Sequence, residues 1–217
     1  MIDIFVKGGW VMYPLLLSSV LALSVVIERF WYLRKKKILV PEIIGVLDQI
    51  KSPGDLQMAK SICEKFKGPF SRIVLTSIEN QDLPPDELRM LVEDGGRQEV
   101  RILQRGLVTL ETIAAIAPLL GLLGTILGMI KVFNVIETLG VGQAKALSGG
   151  ISEALITTAA GLLIGIPVLI AYNYFNHRAE AFILDMENHV IRLLDKLIRF
   201  QRKDSYQEME EINLRKK

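Results

Sequence analysis

Apolar residues crowd into three runs, each long enough to cross a lipid bilayer. The first extends from Trp10 to Ile27; the others read TIAAIAPLLGLLGTILGMI at 112–130 and ALITTAAGLLIGIPVLIAY at 154–172. A charge-free run of about 18 residues or more predicts a membrane helix, because ~20 residues at 1.5 Å each match the hydrocarbon thickness. Elsewhere the spacing predicts helices as well. Pro41 and Pro84-Pro85 suit helix starts, and Asp86 and Glu87 then fall in a first turn that favours acids. DELRMLVEDGGRQEVRILQRGLVTL leads into the second run without a proline. One long helix is expected from about 85 to 135, ~75 Å in length and softened at Gly95-Gly96. Beyond the third run, Ala179, Phe182, Ile183, Met186, Val190, Leu193, Leu194 and Leu197 recur at helical spacing. That amphipathic face has two equally good partners, the chain's own long loop and a neighbouring copy. The terminal KDSYQEMEEINLRKK is polar and predicts a frayed end. No alternating strand pattern, repeat array, phosphate loop or low-complexity tract appears, so the expected fold is all-α.

The second and third runs are uneven around their circumference. At about 100° per residue, Ala114, Ala117, Pro118, Gly121, Thr125 and Gly128 fall within roughly 100° of one another. Leu119, Leu120, Leu122, Leu123, Ile126 and Leu127 cover most of the remainder. Ala154, Thr158, Gly161 and Gly165 form a similar stripe on the third run, and each run carries Gly-x-x-x-Gly, at 124–128 and 161–165. Small faces let helices approach closely or line a narrow passage. The two helices run in opposite directions, so their residues can be compared by depth. With Gly121 and Leu163 as centres, Thr125 and Thr158 both lie ~6–8 Å to one side, and Pro118 and Pro167 both ~4–6 Å to the other. Plain packing explains a small stripe by itself; the matching layers point further, to a shared polar pathway.

Charge fixes a topology. Lys and Arg number one in residues 1–9, thirteen in 34–106, two in 131–152 and nine in 173–217. Positive residues near helix ends resist export, so the two rich segments share the inner side. This divides the chain into an outer amino end (1–9), a first crossing (10–32) and an inner helical region (33–106). A second crossing (107–135), an outer loop (136–150), a third crossing (151–175) and an inner carboxyl-terminal helix and tail (176–217) follow. The first run has its positive residues after it, Arg29 and Arg34 to Lys37, and no small-residue cleavage site, which predicts an uncleaved helix rather than a signal peptide. That orientation suits a bacterial inner membrane. Over 217 residues the mean hydropathy is +0.34, with 50% hydrophobic and 23% charged residues, as expected for membrane helices joined to water-exposed parts. A net charge of +2 makes no case for nucleic acid. Cys63 is the single cysteine, which excludes an intrachain disulfide and reads as a buried free thiol.

The pathway lacks a charge carrier of its own. Hydroxyls relay hydrogen bonds or hold water, but storing a proton near neutral pH takes a carboxylate, His or Lys near the midplane. None lies within either striped run. His177 and His189 belong to the tail and read as surface groups. Glu111 and Glu153 bracket the striped helices at opposite margins. Glu111, six residues from Arg105, has no clear role. Glu153 reads equally as a first-turn acid favoured by the helix dipole and as a cation-attracting acid at the outer mouth. Thr157 and Thr158 can each bond back to the carbonyl one turn earlier; Thr158 has the better claim to the pathway because it lies in the stripe. A polar stripe without a titratable group suggests that a partner helix supplies the charge. No metal spacing, nucleophile with base, or phosphate loop points to an enzyme or a cofactor.

APLLGLLGTILGMI at 117–130 and ISEALITTAAGLLIGIPVLIAYNYF at 151–175 resemble the ExbB/TolQ proton-channel family, relatives of the flagellar stator subunit MotA. Their order, separation and orientation match, as does the three-crossing plan with a large inner loop. The resemblance implies a homo-oligomeric ring, five copies in the family, around helices of an ExbD/TolR-type partner whose membrane aspartate is the missing carrier. It implies that Thr125, Thr158 and Glu153 form the proton pathway, beside a pore-lining small face of Ala114, Ala117, Pro118, Gly121, Gly128, Ala154, Gly161 and Gly165. Proton flow would move the partner helix relative to the ring, and the force would pass to an envelope-spanning TonB- or TolA-type protein. MotA itself fits worse, since such subunits carry four crossings; the short amino end resembles TolQ more than ExbB. Two other readings stay open: a non-conducting membrane scaffold whose stripe is packing surface, and a small secondary transporter, for which three crossings leave little room.

Overall fold

The computed structural model describes residues 7–33, 38–140 and 144–215, except the side chains of 139, 146 and 204–215. The amino-terminal six residues and the basic run 34–37 lie outside it. Among the described residues the chain is all α-helix apart from turns and one short 3-10 segment, and it divides into two compact units.

The membrane unit comprises residues 1–31 and 106–176. It contains helix α1 (Met12–Tyr32), helix α6 (Leu107–Leu139) and the leading part of α7 (Ala144–Arg215). All three helices are long and apolar enough to cross a membrane, and the chain is a multi-pass membrane protein. Val11 and Leu15 pack with Ala117, and Met12, Leu120, Leu127, Ala160 and Ile164 close around them. Leu119, Leu122 and Ile126 remain exposed, as do Leu163 and Ile170. Exposed apolar flanks are what lipid requires of a membrane helix. Of the stretch expected as an outer loop, 136–139 and 144–150 are helical, and 141–143 lie outside the described residues.

The expected single helix over 85–135 is two helices. α5 (Pro85–Gln104) passes straight through Gly95-Gly96, and the break falls at Arg105-Gly106 instead. Gly106 has φ 80°, a left-handed conformation that costs an L side chain ~1 kcal/mol or more and that glycine adopts freely. A Cβ there would also lie 3.3 Å from Val25 Cγ1 and 3.4 Å from Arg29 Nε. Two adjacent glycines inside a helix weaken it, but they do not bend it unless something pulls the backbone into another conformation.

The second unit comprises residues 32–105 and 177–217. Its short helices α2 (Pro41–Gln49), α3 (Leu56–Lys65) and α4 (Pro69–Glu79) precede α5. α2, α4 and α5 each begin with proline, whose missing N–H costs nothing in a first turn. Before α3, the Asp55 carboxylate accepts bonds from the backbone N–H of Lys51 and Ser52, both 2.9 Å, and from the Ser52 hydroxyl at 3.0 Å. Those donors, the Lys51 N–H foremost, hold the carboxyl below its usual range. Between α4 and α5 a bidentate pair forms: Arg72 donates to both carboxylate oxygens of Glu99, at 2.6 and 2.5 Å. The amphipathic face of α7 finds its partner here. Ala179, Phe182, Met186, Val190, Leu193, Leu194 and Leu197 are buried within this unit, and Ile183 is half-buried. Lys196 Nζ donates to Leu47 O at 2.6 Å, and Gln201 donates to the carbonyls of Gln81 and Leu83. The chain therefore packs this face on itself. Helix α7 runs on to Arg215, through the stretch expected to fray.

Candidate functional site

The small residues of α6 and α7 face one another. A Cβ added to Gly161 would stand 2.6 Å from Ala117 O and 3.0 Å from Gly121 Cα. One on Gly121 would stand 3.1 Å from Thr157 O and from Thr158 Cα. Gly128 has Ala154 Cβ and Gly150 O at 2.8 Å, and Gly165 has Pro118 Cγ at 2.8 Å. Gly121 and Gly161 meet backbone, Gly128 meets backbone and the Ala154 methyl, and Gly165 meets the Pro118 ring, each closer than an added side chain would allow, so the antiparallel register is locked. Ala114, Ala117 and Ala154 are buried in the same seam, and Pro118 flanks it half-buried. Within one chain, the whole small face is thus packed helix on helix.

The seam is centred about one residue away from the stripe read in the sequence. Gly124 and Thr157 lie at its middle, where a Cβ on Gly124 would run into the Thr157 side chain. Thr157 is fully buried, and its hydroxyl donates back to Glu153 O at 3.0 Å and Ala154 O at 2.9 Å. Thr125 and Thr158 sit at the seam's edge, each half-buried. Thr158 Oγ1 crosses to α6 and donates to Gly121 O at 3.1 Å, while Thr125 Oγ1 donates within its own helix to Leu122 O at 2.6 Å. The two hydroxyls expected at one depth therefore flank neighbouring positions of the register, Gly124 opposite Thr157.

At the margin of the same seam, Lys131 Nζ lies 2.5 Å from Glu153 Oε1. The Glu153 side chain is 18% exposed and the Lys131 side chain 55%, so the acid is the enclosed member of the pair. Gly9, with φ 68°, brings the backbone ahead of α1 against the carboxylate so closely that a Cβ would collide with it. Glu153 stands out in the sequence, and Lys131 does not. A signal was there: each is the first charge beyond a charge-free run, and antiparallel helices put those two margins side by side.

Between these margins the two helices offer hydroxyls, carbonyls and no carboxylate, His, Lys or Arg from 112 to 130 or from 154 to 176. Such a seam can bind water or donate hydrogen bonds, but it cannot hold a proton. Among the described residues no cluster of three His, Cys, Asp or Glu could hold a metal ion. Cys63 is buried in the other unit, and burial pushes its thiol up to about 11, which makes it a poor nucleophile. His189 there meets Phe70 with ring centroids 5.9 Å apart and planes tilted by 60°, and His177 is a surface group 3.6 Å from Glu180.

The profile of the MotA/TolQ/ExbB proton channel family matches residues 65–188. An ExbB-like biopolymer transport protein of Synechocystis sp. is 39% identical over 177 residues, covering 79% of this chain and 69% of the relative. An ExbB homolog of Methanothermobacter thermautotrophicus is 30% identical over 198 residues, 90% of this chain and 68% of that protein. The ExbB biopolymer transport protein of Neisseria gonorrhoeae is 34% identical over 108 residues, 49% of either chain.

Proposed function

The chain belongs to the MotA/TolQ/ExbB proton channel family, and from that premise we propose that it is the ring-forming subunit of an inner-membrane motor driven by protons. The family is one of transport proteins, not of enzymes. In this reading several copies, five by resemblance, surround the membrane helices of an ExbD/TolR-type partner, and a TonB- or TolA-type protein takes up the work. Glu153 draws cations to the outer mouth, and Thr125 and Thr158 offer hydrogen bonds to the partner's carboxylate or its water.

One observation carries the reading. The chain holds Thr158 at the edge of a tightly registered seam, bonded across to Gly121 O at 3.1 Å, between two apolar runs (112–130 and 154–172) with no carboxylate, His or Lys. A relay without a carrier calls for a carrier from outside. The small face now supports the pathway indirectly, by fixing the two helices so that Thr125 and Thr158 stand at its rim.

Proton uptake into liposomes under an imposed potential tests this. The chain alone should not conduct. Co-purified with its ExbD/TolR-type partner it should, and Thr158→Val should remove most of the flux while the complex still assembles. If Thr158→Val abolishes assembly, the hydroxyl is structural and the pathway reading fails.

The packing of the stripe's alanines and glycines within one chain favours a second reading, a non-conducting scaffold. It expects no flux from an intact complex, and no functional change in Thr158→Val or Glu153→Gln.

A further inference from the structure

Lys131 carries a further inference, which rests on the reading of Glu153 as the acid at the channel mouth. The register that seats Gly128 against Ala154 also brings Lys131 of α6 to Glu153 of α7, Nζ to Oε1, at 2.5 Å. Gly9 backs the carboxylate from the segment before α1. Glu153 is thereby enclosed, and the side chain covering it is a half-exposed lysine on a flexible four-carbon stem.

We propose that Lys131 is the residue that makes this mouth discriminate against alkali cations. Its ammonium stands where a sodium or potassium ion would pair with Glu153. A tethered group acts at an effective concentration of about millimolar or more, and it never diffuses away. It also weakens the local negative potential, so that Glu153 gathers alkali cations less strongly than an unpaired acid would. A metal ion would have to displace the ammonium and give up part of its own water shell to reach the carboxylate. A proton needs neither. It forms one O–H bond with the carboxylate, and the ammonium moves out into water as the charge it was pairing disappears. Lys131 is thus a specificity residue, acting through Glu153.

The test uses the complex with its ExbD/TolR-type partner in liposomes, with proton and sodium fluxes recorded in parallel under an imposed potential. Lys131→Gln is expected to raise the sodium flux relative to the proton flux by about tenfold, and Lys131→Arg to keep the wild-type ratio. An unchanged ratio in Lys131→Gln overturns the proposal. So does failure of Lys131→Gln to assemble where Lys131→Arg assembles, since the pair would then be a helix pin. Glu153→Gln separates the two levels: if it leaves both fluxes as they were in a conducting complex, the role of Glu153 at the mouth falls, and Lys131 with it. If Glu153→Gln slows proton flux while Lys131→Gln leaves the ratio alone, only the present proposal falls.

Discussion

Thr157 and Thr158 are neighbours with different surroundings. Thr157 is sealed in the seam against Gly124, its hydroxyl satisfied by its own helix; Thr158 stands at the edge and bonds across to α6. The stripe pointed to Thr158 and missed Thr157, because helical spacing alone cannot centre a contact to better than about one residue in angle. Gly124 decides that centring. Gly124→Ala would force its Cβ into Thr157, and overpacking of that kind costs ~1–3 kcal/mol. Gly149→Ala, with nothing within 4 Å, should be neutral or slightly stabilising. Thermal unfolding in detergent should separate the two. Cys63 makes a pH prediction. Burial keeps its thiol neutral up to about 11, against 9.0 for a free thiol. Alkylation of the folded protein should therefore stay slow at pH 8–9 and accelerate on unfolding. The same shift removes stability as pH rises from the free-thiol value to about 11, because over that range only the unfolded chain ionises.

At the scale of elements, the amphipathic face of α7 was legible, and prolines marked the helix starts at 41 and 85; Pro69 starts a third that was not read. Helix continuity was not legible. Gly95 and Gly96 have open space around them and lie inside α5, whereas Gly106 adopts φ 80° beside Val25 and Arg29. Composition treats the three glycines alike; only the path of the backbone distinguishes them. Gly106→Ala should destabilise by ~1 kcal/mol or more, and Gly95→Ala should stabilise by ~0.5–1 kcal/mol. Chemical denaturation of the two variants would show opposite shifts in midpoint. The pair Arg72–Glu99, 27 residues apart, had no local signature, since it depends on how α4 and α5 pack.

At the scale of the whole molecule, the chain has three helices long and apolar enough to cross a membrane, and we propose from its charge balance that the carboxyl end lies inside. A carboxyl-terminal alkaline phosphatase fusion should accordingly be inactive, and a fluorescent-protein fusion bright; the reverse would invert the topology. The sequence by itself determined the helical class, the three apolar runs long enough to cross a membrane, and which residue types line the second and third of them. All of these follow from residue type and periodicity along one chain. Tertiary structure decided what depends on two segments at once. It turned the small face into a seam between α6 and α7, gave the amphipathic face of α7 its own chain as partner, and set Lys131 on Glu153. The physical reason is common to all three: periodicity says which residues share a face, but only packing says what that face meets.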